Sequence, residues 1–231
     1  MKLILTIIFL LFNAYISQSQ PVSLHFELQG GASKPILDFS STNLQKGSFA
    51  LTGFATSAEL KVITNNKLGG FIQGGVQLLP VDVGSLGYEK VKADPFLQDL
   101  YIRSDPFKVL HLLAGPLYQI PLWKSFFFEG QLGAGVFFSS TPYQLYKPSF
   151  FFMGPPYYEI TPSKDVSFAY GASVKAIYDL TPCYQIAIAS QFMNSKASFD
   201  FESATRVRTD VRNISLLNTS LSLILKLPSG N

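Results

Sequence analysis

Hydrophobic and polar residues alternate along most of this chain. In residues 173–192, Tyr178 and Ile186 stand on one set of alternate positions, and Lys175 and Gln185 stand on the other. Successive side chains of a β-strand point to opposite faces, so a period of two is typical of a strand that has an apolar face and a polar face. The pattern therefore predicts two-faced strands.

The alternation recurs in eight segments, and none of them shows the period of 3.6 residues that indicates a helix. The predicted strands cover about residues 22–33, 48–64, 68–83, 106–121, 126–141, 166–180, 184–199 and 213–227. Short and long connections follow one another in turn. The short ones are residues 65–67, 122–125 and 181–183, and the long ones are residues 34–47, 84–105, 142–165 and 200–212.

This order of connections is typical of a membrane barrel that has short periplasmic turns at one rim and long extracellular loops at the other. The segments are about 12 to 17 residues long, and about 9–11 tilted residues suffice to cross the hydrocarbon layer. We therefore expect an all-β protein, an eight-stranded antiparallel up-and-down transmembrane β-barrel with both termini at the short-turn rim.

The composition favours a membrane protein over a soluble one. Charged residues make up 14% of the chain and apolar residues 47%, whereas soluble proteins average about 25% charged residues. A soluble domain with so few charges would have little to cover its surface. The net charge of +3 is small and dispersed, so we expect no nucleic-acid partner.

The two faces of the predicted strands differ in side-chain size. Leu221, Leu223 and Ile186 represent the bulky apolar set, and Gln73 and Gln131 represent the compact polar set. A narrow eight-stranded interior has room for small residues and for a few polar residues that pair with one another. The bulky set is therefore predicted to face lipid, and the polar set to fill the lumen.

The N-terminus has the features of an export signal. Lys2 precedes an apolar run at residues 3–12, and Ser17 and Ser19 are small residues at the positions that a signal peptidase requires. We predict that residues 1–19 are a cleaved signal peptide and that residues 20–231 form a single barrel domain. Cys183 is the one cysteine, so it cannot form an internal disulfide.

Three segments carry a resemblance to a known family of proteins. They are the Ser19-Gln20 junction, the strand Phe-Glu-Gly-Gln-Leu-Gly-Ala-Gly-Val at residues 128–136 and the hairpin at residues 173–192. The chain resembles the small eight-stranded outer-membrane barrels, namely the OmpA-transmembrane and OmpX-like group and the barrel domains common in Bacteroidetes. The resemblance covers the whole mature chain. It implies a location in the cell outer membrane of a Gram-negative bacterium, a monomer, and contact with membrane lipid and lipopolysaccharide.

Charged residues stand on the lumen positions of several predicted strands, towards the short turns. They are Glu27, Glu59, Lys61, Glu129, Lys175, Asp179 and Lys226, with His25 beside them. An unpaired buried charge costs several kcal/mol. We therefore predict an interlocked network that plugs the lumen, and a gate or a proton-linked path is the alternative.

Two loops carry candidate binding residues. The third long loop is rich in aromatic residues, which predict either a binding surface or a lid over the barrel mouth; they are Tyr143, Tyr146, Phe150, Phe151, Phe152, Tyr157 and Tyr158. The fourth loop offers Arg206, Arg208 and Arg212, spaced to share one strand face. Arginine is a natural partner for lipopolysaccharide phosphates, although a solvated cluster fits the spacing equally well.

The chain contains no metalloprotease His-Glu-x-x-His, no nucleophile elbow, no P-loop and no paired cysteines. We therefore expect no catalysis, no cofactor and no metal site, and we predict a structural or surface-binding role at the four long loops. Three rivals stay open. They are a narrow channel for small solutes, a secreted soluble carrier of the lipocalin kind, and a lipid A-modifying barrel enzyme with His25 or His111 beside a serine at the rim.

Overall fold

The computed structural model describes residues 22–151, 154–203 and 206–227. For residues 202–203 and 206–207 it describes the backbone alone. The predicted signal peptide, residues 1–19, lies outside the described residues and stays a prediction.

The described residues form eleven strands, of which eight close into a barrel. The strands are β1 Ser23–Pro35, β2 Gly53–Ile63, β3 Leu68–Leu79, β4 Leu97–Ser104, β5 Phe107–Trp123, β6 Phe126–Ser140, β7 Gln144–Phe150, β8 Tyr158–Ile160, β9 Lys164–Asp179, β10 Tyr184–Ser203 and β11 Arg206–Leu227. Neighbouring barrel strands run antiparallel in the order β1-β11-β10-β9-β6-β5-β3-β2, and β1 pairs with both β2 and β11. The predicted fold class is confirmed.

The barrel has one rim of short turns. Residues 64–67, 124–125 and 180–183 connect β2 to β3, β5 to β6 and β9 to β10. Leu24 pairs with Leu227, so the first and last strands begin and end at this same rim. The predicted alternation of short turns with longer connections holds everywhere except at the last hairpin.

The faces of the strands are oriented as the sequence predicts. In β11, Leu221 and Leu223 are 68% and 51% exposed, whereas Ser222 between them is 6% exposed. The same exposed apolar face continues around the barrel on Ile72, Leu110, Leu112, Leu132, Ile186 and Ile188. So extensive an apolar exterior is stable in lipid and not in water, and the barrel therefore spans a membrane.

Large apolar side chains fill the lumen towards the long connections. Phe71, Leu113, Phe137, Met193 and Leu216 are buried there in one cluster. The sequence predicted a lumen of compact polar groups, and the structure differs in this part. A lumen without water gains free energy by burying bulky apolar groups, so these residues close the barrel above its polar part.

The described residues also contain two helices, so the prediction of a helix-free chain is wrong. A 3₁₀ helix spans Leu37–Ser40, and helix α1 spans Val83–Ala93. The carboxylate of Asp82 caps α1 by accepting a hydrogen bond of 3.0 Å from the backbone N–H of Ser85. No helix in the described part of the chain is long and apolar enough to cross a membrane.

Helix α1 and a three-stranded antiparallel sheet form a cap beyond the long-connection rim. The sheet has the order β4-β7-β8 and consists of residues that were predicted as the loops 84–105 and 142–165. Leu86 of α1 packs on Leu100 and Ile102 of β4, together with Phe49 and Tyr146. The two loops therefore share an apolar core of their own.

The prediction of a fourth long loop at residues 200–212 is wrong. Strands β10 and β11 stay paired from Lys196 opposite Asn213 to Ser203 opposite Arg206, so this segment is the end of a long hairpin. Beyond the lipid the outer face of the hairpin contacts water and carries Lys196, Ser198 and Asp200, whereas Ala197 and Phe199 are buried on the inner face. The apolar outer face therefore ends where the lipid ends, before the strand ends.

Candidate functional site

Five charged residues from four strands meet in the lumen. The Nζ atom of Lys61 lies 2.7 Å from Oε2 of Glu27 and 2.9 Å from Oε1 of Glu129. The Nζ atom of Lys175 lies 2.9 Å from both Glu27 Oε2 and Glu59 Oε2. All five side chains are at most 1% exposed. These groups form a single ion cluster, which we call the lumen network.

Glutamine side chains surround the lumen network and donate hydrogen bonds to its remaining carboxylate oxygens. The Nε2 atom of Gln131 lies 2.6 Å from Glu59 Oε1, and that of Gln119 lies 2.7 Å from Glu129 Oε2. A buried charge is tolerated where such bonds satisfy its lone pairs. Alternation placed Gln131 inside the lumen, but no signal in the sequence identified either glutamine as a partner of a particular carboxylate.

The other three predicted network residues lie outside this cluster. Lys226 Nζ and Asp179 Oδ1 are 2.8 Å apart, and both side chains are about a quarter exposed, so they form a separate pair near the short-turn rim. His25 is buried. In the pairing of β1 with its neighbours it lies opposite Lys226 of β11 and opposite Lys61 of β2. Within the described residues, its Nδ1 atom has no hydrogen-bond partner.

The three carboxylates of the lumen network lie close together, with two ammonium groups among them. Oxygen atoms of Glu27, Glu59 and Glu129 lie within 4.8 Å of one another, as metal ligands do. The ammonium groups of Lys61 and Lys175 already lie against these oxygens. The two lysines therefore take the place that a cation would need, and the network carries one carboxylate more than it has ammonium groups.

A cavity of about 720 Å³ lies at the long-connection mouth, between the cap and the β10–β11 hairpin; we call it the mouth cavity. Phe107, Phe199 and Phe201 give it an apolar side. Phe199 is on the lumen face of β10 and belongs to the apolar cluster that closes the barrel. The mouth cavity therefore lies directly above the closed lumen.

Lys90 of α1 lines the mouth cavity and lies on an aromatic pair. Its Nζ atom is 4.3 Å from the ring centroid of Tyr146 and 5.9 Å from that of Tyr158. The two rings stack with centroids 4.6 Å apart. Burial lowers the pKa of Lys90, and the nearby positive charge of Arg208 lowers it further. The environment of this ammonium group therefore contains aromatic faces and a second cation.

The arginines of the β10–β11 hairpin point towards the same cavity. Arg208 and Arg212 both bind the carboxylate of Asp210, at 2.9 Å and 3.4 Å, and Arg212 also donates to the carbonyl oxygen of Gly47. This face of β11 continues the lumen face, so Arg208 and Arg212 border the mouth cavity and do not project into the surrounding lipid. Arg206 belongs to β11, and its side chain is outside the described set.

The aromatic residues of the third long loop differ in their exposure. Tyr146 is 1% exposed, belongs to the cap core and lines the mouth cavity, as the predicted lid over the barrel mouth would place it. Phe151 and Tyr157 are 62% and 57% exposed. Tyr143 and Phe150 are half-buried, Tyr158 stacks on Tyr146, and Phe152 lies outside the described residues.

The two histidines that the sequence offers as bases for a barrel enzyme are both buried inside the barrel. His111 is buried in the lumen, with its Nδ1 atom 2.9 Å from Nε2 of Gln77. His25 is buried near the lumen network. In the part of the chain that is described, neither imidazole forms a hydrogen bond with a serine, whereas a nucleophilic serine requires an adjacent base.

No known family profile and no curated protein matches the chain. Solved structures do match. Neisserial surface protein A is 14% identical, covers 89% of this chain and 99% of its own, and gives a TM-score of 0.53. A major outer membrane protein from Thermus thermophilus is 11% identical, with coverages of 89% and 99% and a TM-score of 0.50.

The Ail protein of Yersinia pestis is 14% identical, with coverages of 89% and 97% and a TM-score of 0.43. The shared fold and the apolar exterior agree on the location in an outer membrane that the sequence predicts. The chain therefore has the fold of the small eight-stranded outer-membrane β-barrels, the OmpA/OmpX-like group that its sequence resembles.

Proposed function

We propose that this protein is a non-conducting surface-binding barrel, in which a closed transmembrane scaffold presents the cap and the mouth cavity outside the cell. One observation carries the proposal: the lumen is filled across its section by fully buried ion pairs and, above them, by packed apolar side chains. A barrel of eight strands has an interior just wide enough for side chains to fill. Binding at the cap is then the function that the geometry supports.

A channel needs a path of water along its axis, and the described lumen offers none. Lys61, Lys175 and the three glutamates are at most 1% exposed. Beyond them, the void lined by Phe71, Leu113 and Gln191 is too small to hold a water molecule. These observations favour a surface role over the narrow small-solute channel.

The remaining rivals are less compatible with the geometry. A lipocalin-like carrier would hold an apolar ligand inside and expose a polar exterior, whereas here the exterior is apolar and the lumen is polar at the lumen network. A lipid A enzyme would need a histidine at the membrane rim, whereas His25 and His111 are buried within the barrel. A binding role requires neither feature.

The cap supplies what a binding role requires. It has its own apolar core, formed by residues of α1, β4 and β7, which holds these elements against one another. The mouth cavity of about 720 Å³ falls within the range of about 300–1,000 Å³ that is typical of small-molecule sites. Loops on a rigid scaffold are the usual place for recognition residues.

Conductance in planar lipid bilayers tests the proposal. The protein is first shown to be folded by its heat-modifiable migration on a gel, and an open porin recorded in the same bilayers shows that channels are detectable. We expect no current steps from this protein at either polarity. Reproducible unitary currents from the folded protein would refute the closed-lumen proposal and restore the small-solute channel.

A further inference from the structure

The charges around the mouth cavity are not balanced. Its lining contains the cations Lys90, Arg208 and Arg212 and the anions Asp210 and Glu159. Arg208 and Arg212 share Asp210. Among the described residues, no carboxylate lies within ion-pair distance of the Lys90 ammonium, which lies over the faces of Tyr146 and Tyr158.

A half-buried ammonium group without a carboxylate is costly, because burial favours its neutral form. The aromatic faces compensate in part, since a cation is attracted to the face of an aromatic ring. Arg208 adds repulsion, which together with burial keeps the pKa of Lys90 below its ordinary value. An anion between Lys90 and Arg208 would remove both penalties.

The cavity also offers an apolar wall next to these cations. Phe107, Phe199 and Phe201 line it, together with Leu44 and Ile160. A fully hydrated inorganic anion would gain nothing from this wall. A molecule with an acidic head and an apolar body would gain from both parts of the lining.

We propose that the mouth cavity binds an amphiphilic anion, whose acidic head lies between Lys90 and Arg208 and whose apolar body packs against Phe107 and Phe201. This inference rests on the proposed surface-binding function and names its ligand class. The head group is a carboxylate, sulfonate or phosphate. The molecule is either dissolved in the medium or part of an anionic lipid of the outer leaflet.

Isothermal titration calorimetry tests the site with 2-naphthoate as the probe and with the full mature chain in phosphatidylcholine nanodiscs. We expect saturable binding of 2-naphthoate, and much weaker binding of 2-naphthylmethanol, which lacks the charge, and of acetate, which lacks the apolar body. Equal binding of the acid and the alcohol would overturn the proposal, because the cations would then contribute nothing.

Lys90→Met removes the charge and keeps an apolar stem against the tyrosines. A charge-assisted hydrogen bond contributes about 1.5–3 kcal/mol, so the dissociation constant for 2-naphthoate should rise about tenfold or more. Lys92→Met is the matched control, because Lys92 is exposed on the same last turn of α1, and it should bind as the unaltered chain does. Equal affinity of the Lys90 variant and the control would overturn the proposal.

Nanodiscs that contain phosphatidylglycerol separate the two sources of the ligand. Competition between this lipid and 2-naphthoate, abolished by Lys90→Met, would support the site and identify a lipid head group as its occupant. Unchanged binding would support the site with a dissolved acid as its occupant. Absence of any 2-naphthoate binding would refute this inference while leaving the closed lumen intact, because the bilayer recording tests the lumen separately.

Discussion

The ammonium nitrogen of Lys61 lies 2.7 Å from Oε2 of Glu27 in the middle of the barrel, and neither side chain has any exposed surface. The two residues stand on adjacent strands, β2 and β1, which pair antiparallel. Their pairing compensates for the loss of water around both charges. The ion pair therefore links the first two strands of the barrel through the same groups that block its lumen.

Lys61→Met should strongly destabilise the barrel. It removes one of the two ammonium groups and leaves the carboxylates of Glu27 and Glu129 short of a partner, and breaking a buried pair in this way costs about 3–5 kcal/mol. The free energy of unfolding is measured from the urea dependence of heat-modifiable gel migration.

Lys226→Met is the control for this change. Lys226 also forms an ion pair, but its side chain and that of Asp179 are about a quarter exposed, and pairs near water contribute about 0–1 kcal/mol. If the two variants lost equal stability, burial of the lumen network would not be the source of its effect.

A charge on the lipid face should also destabilise the barrel. Leu221→Arg places a guanidinium group among acyl chains, at a cost of about 2–4 kcal/mol near the centre of the bilayer. Leu37→Arg is the matched control, because Leu37 is 69% exposed and Leu221 is 68% exposed, but Leu37 belongs to the 3₁₀ helix beyond the barrel strands. Comparable unfolding free energies in lipid for both variants would contradict a lipid contact at Leu221.

The strand faces could be predicted from the sequence because lipid and lumen impose their preferences residue by residue. Leu221, Ser222 and Leu223 show this in three consecutive positions. The partners within the lumen network could not be predicted, since Lys175 and Glu27 are 148 residues apart in the chain. Alternation places a residue on a face, and it does not specify which residue lies opposite across the lumen.

The cap was missed for a related reason. In α1, glycine stands at positions 84 and 87, which weakens the helical signal, and the helix buries little beyond Leu86 and Gly87. The packing of Leu86 against Leu100 and Ile102 of β4 is a tertiary contact that no local pattern reports. The Asp82 cap was the one signal in the sequence that could have indicated where this helix begins.

The cap should lose protection in acid through Asp82. Hydrogen bonds from Ser85 lower the pKa of this carboxyl below its usual value, so the carboxylate stabilises α1 above about pH 4, the value for an unfolded chain. This stabilisation is lost as the pH falls through the lowered pKa. Amide hydrogen exchange in α1, corrected for intrinsic rates, measures the effect.

Asp82→Asn should remove this dependence, because asparagine caps a helix without titrating in this range. The variant should therefore show the same protection of α1 across the acidic range. An identical acid-induced loss in both proteins would show that another group controls the cap.

Binding of 2-naphthoate should weaken as the pH rises through the pKa of Lys90. The anion favours the charged form of the lysine, so affinity is complete below that pKa and is lost above it, and burial and Arg208 set it below the ordinary lysine value. The groups around Lys90 are Tyr146, Tyr158 and Arg208, with Glu159 and Asp210 elsewhere in the cavity.

The tyrosines do not compete with Lys90 in this titration, since burial raises the pKa of both Tyr146 and Tyr158. Lys90→Arg keeps a positive charge at every pH of the titration. The measurement is calorimetry between about pH 7 and 10, a range that lies below the ordinary lysine pKa. The affinity for 2-naphthoate should fall across this range for the unaltered chain and stay constant for the arginine variant. Parallel curves would assign the dependence to a group other than Lys90.

Tryptophan fluorescence tests the orientation of the strands most directly. In a Trp123→Phe background, which removes the one native tryptophan, Leu223→Trp places the indole on the exposed apolar face of β11. We predict emission at short wavelength that brominated lipids quench and aqueous iodide does not. Quenching by iodide with no effect of bromine would put this face in water and contradict the account of a lipid-facing, closed barrel.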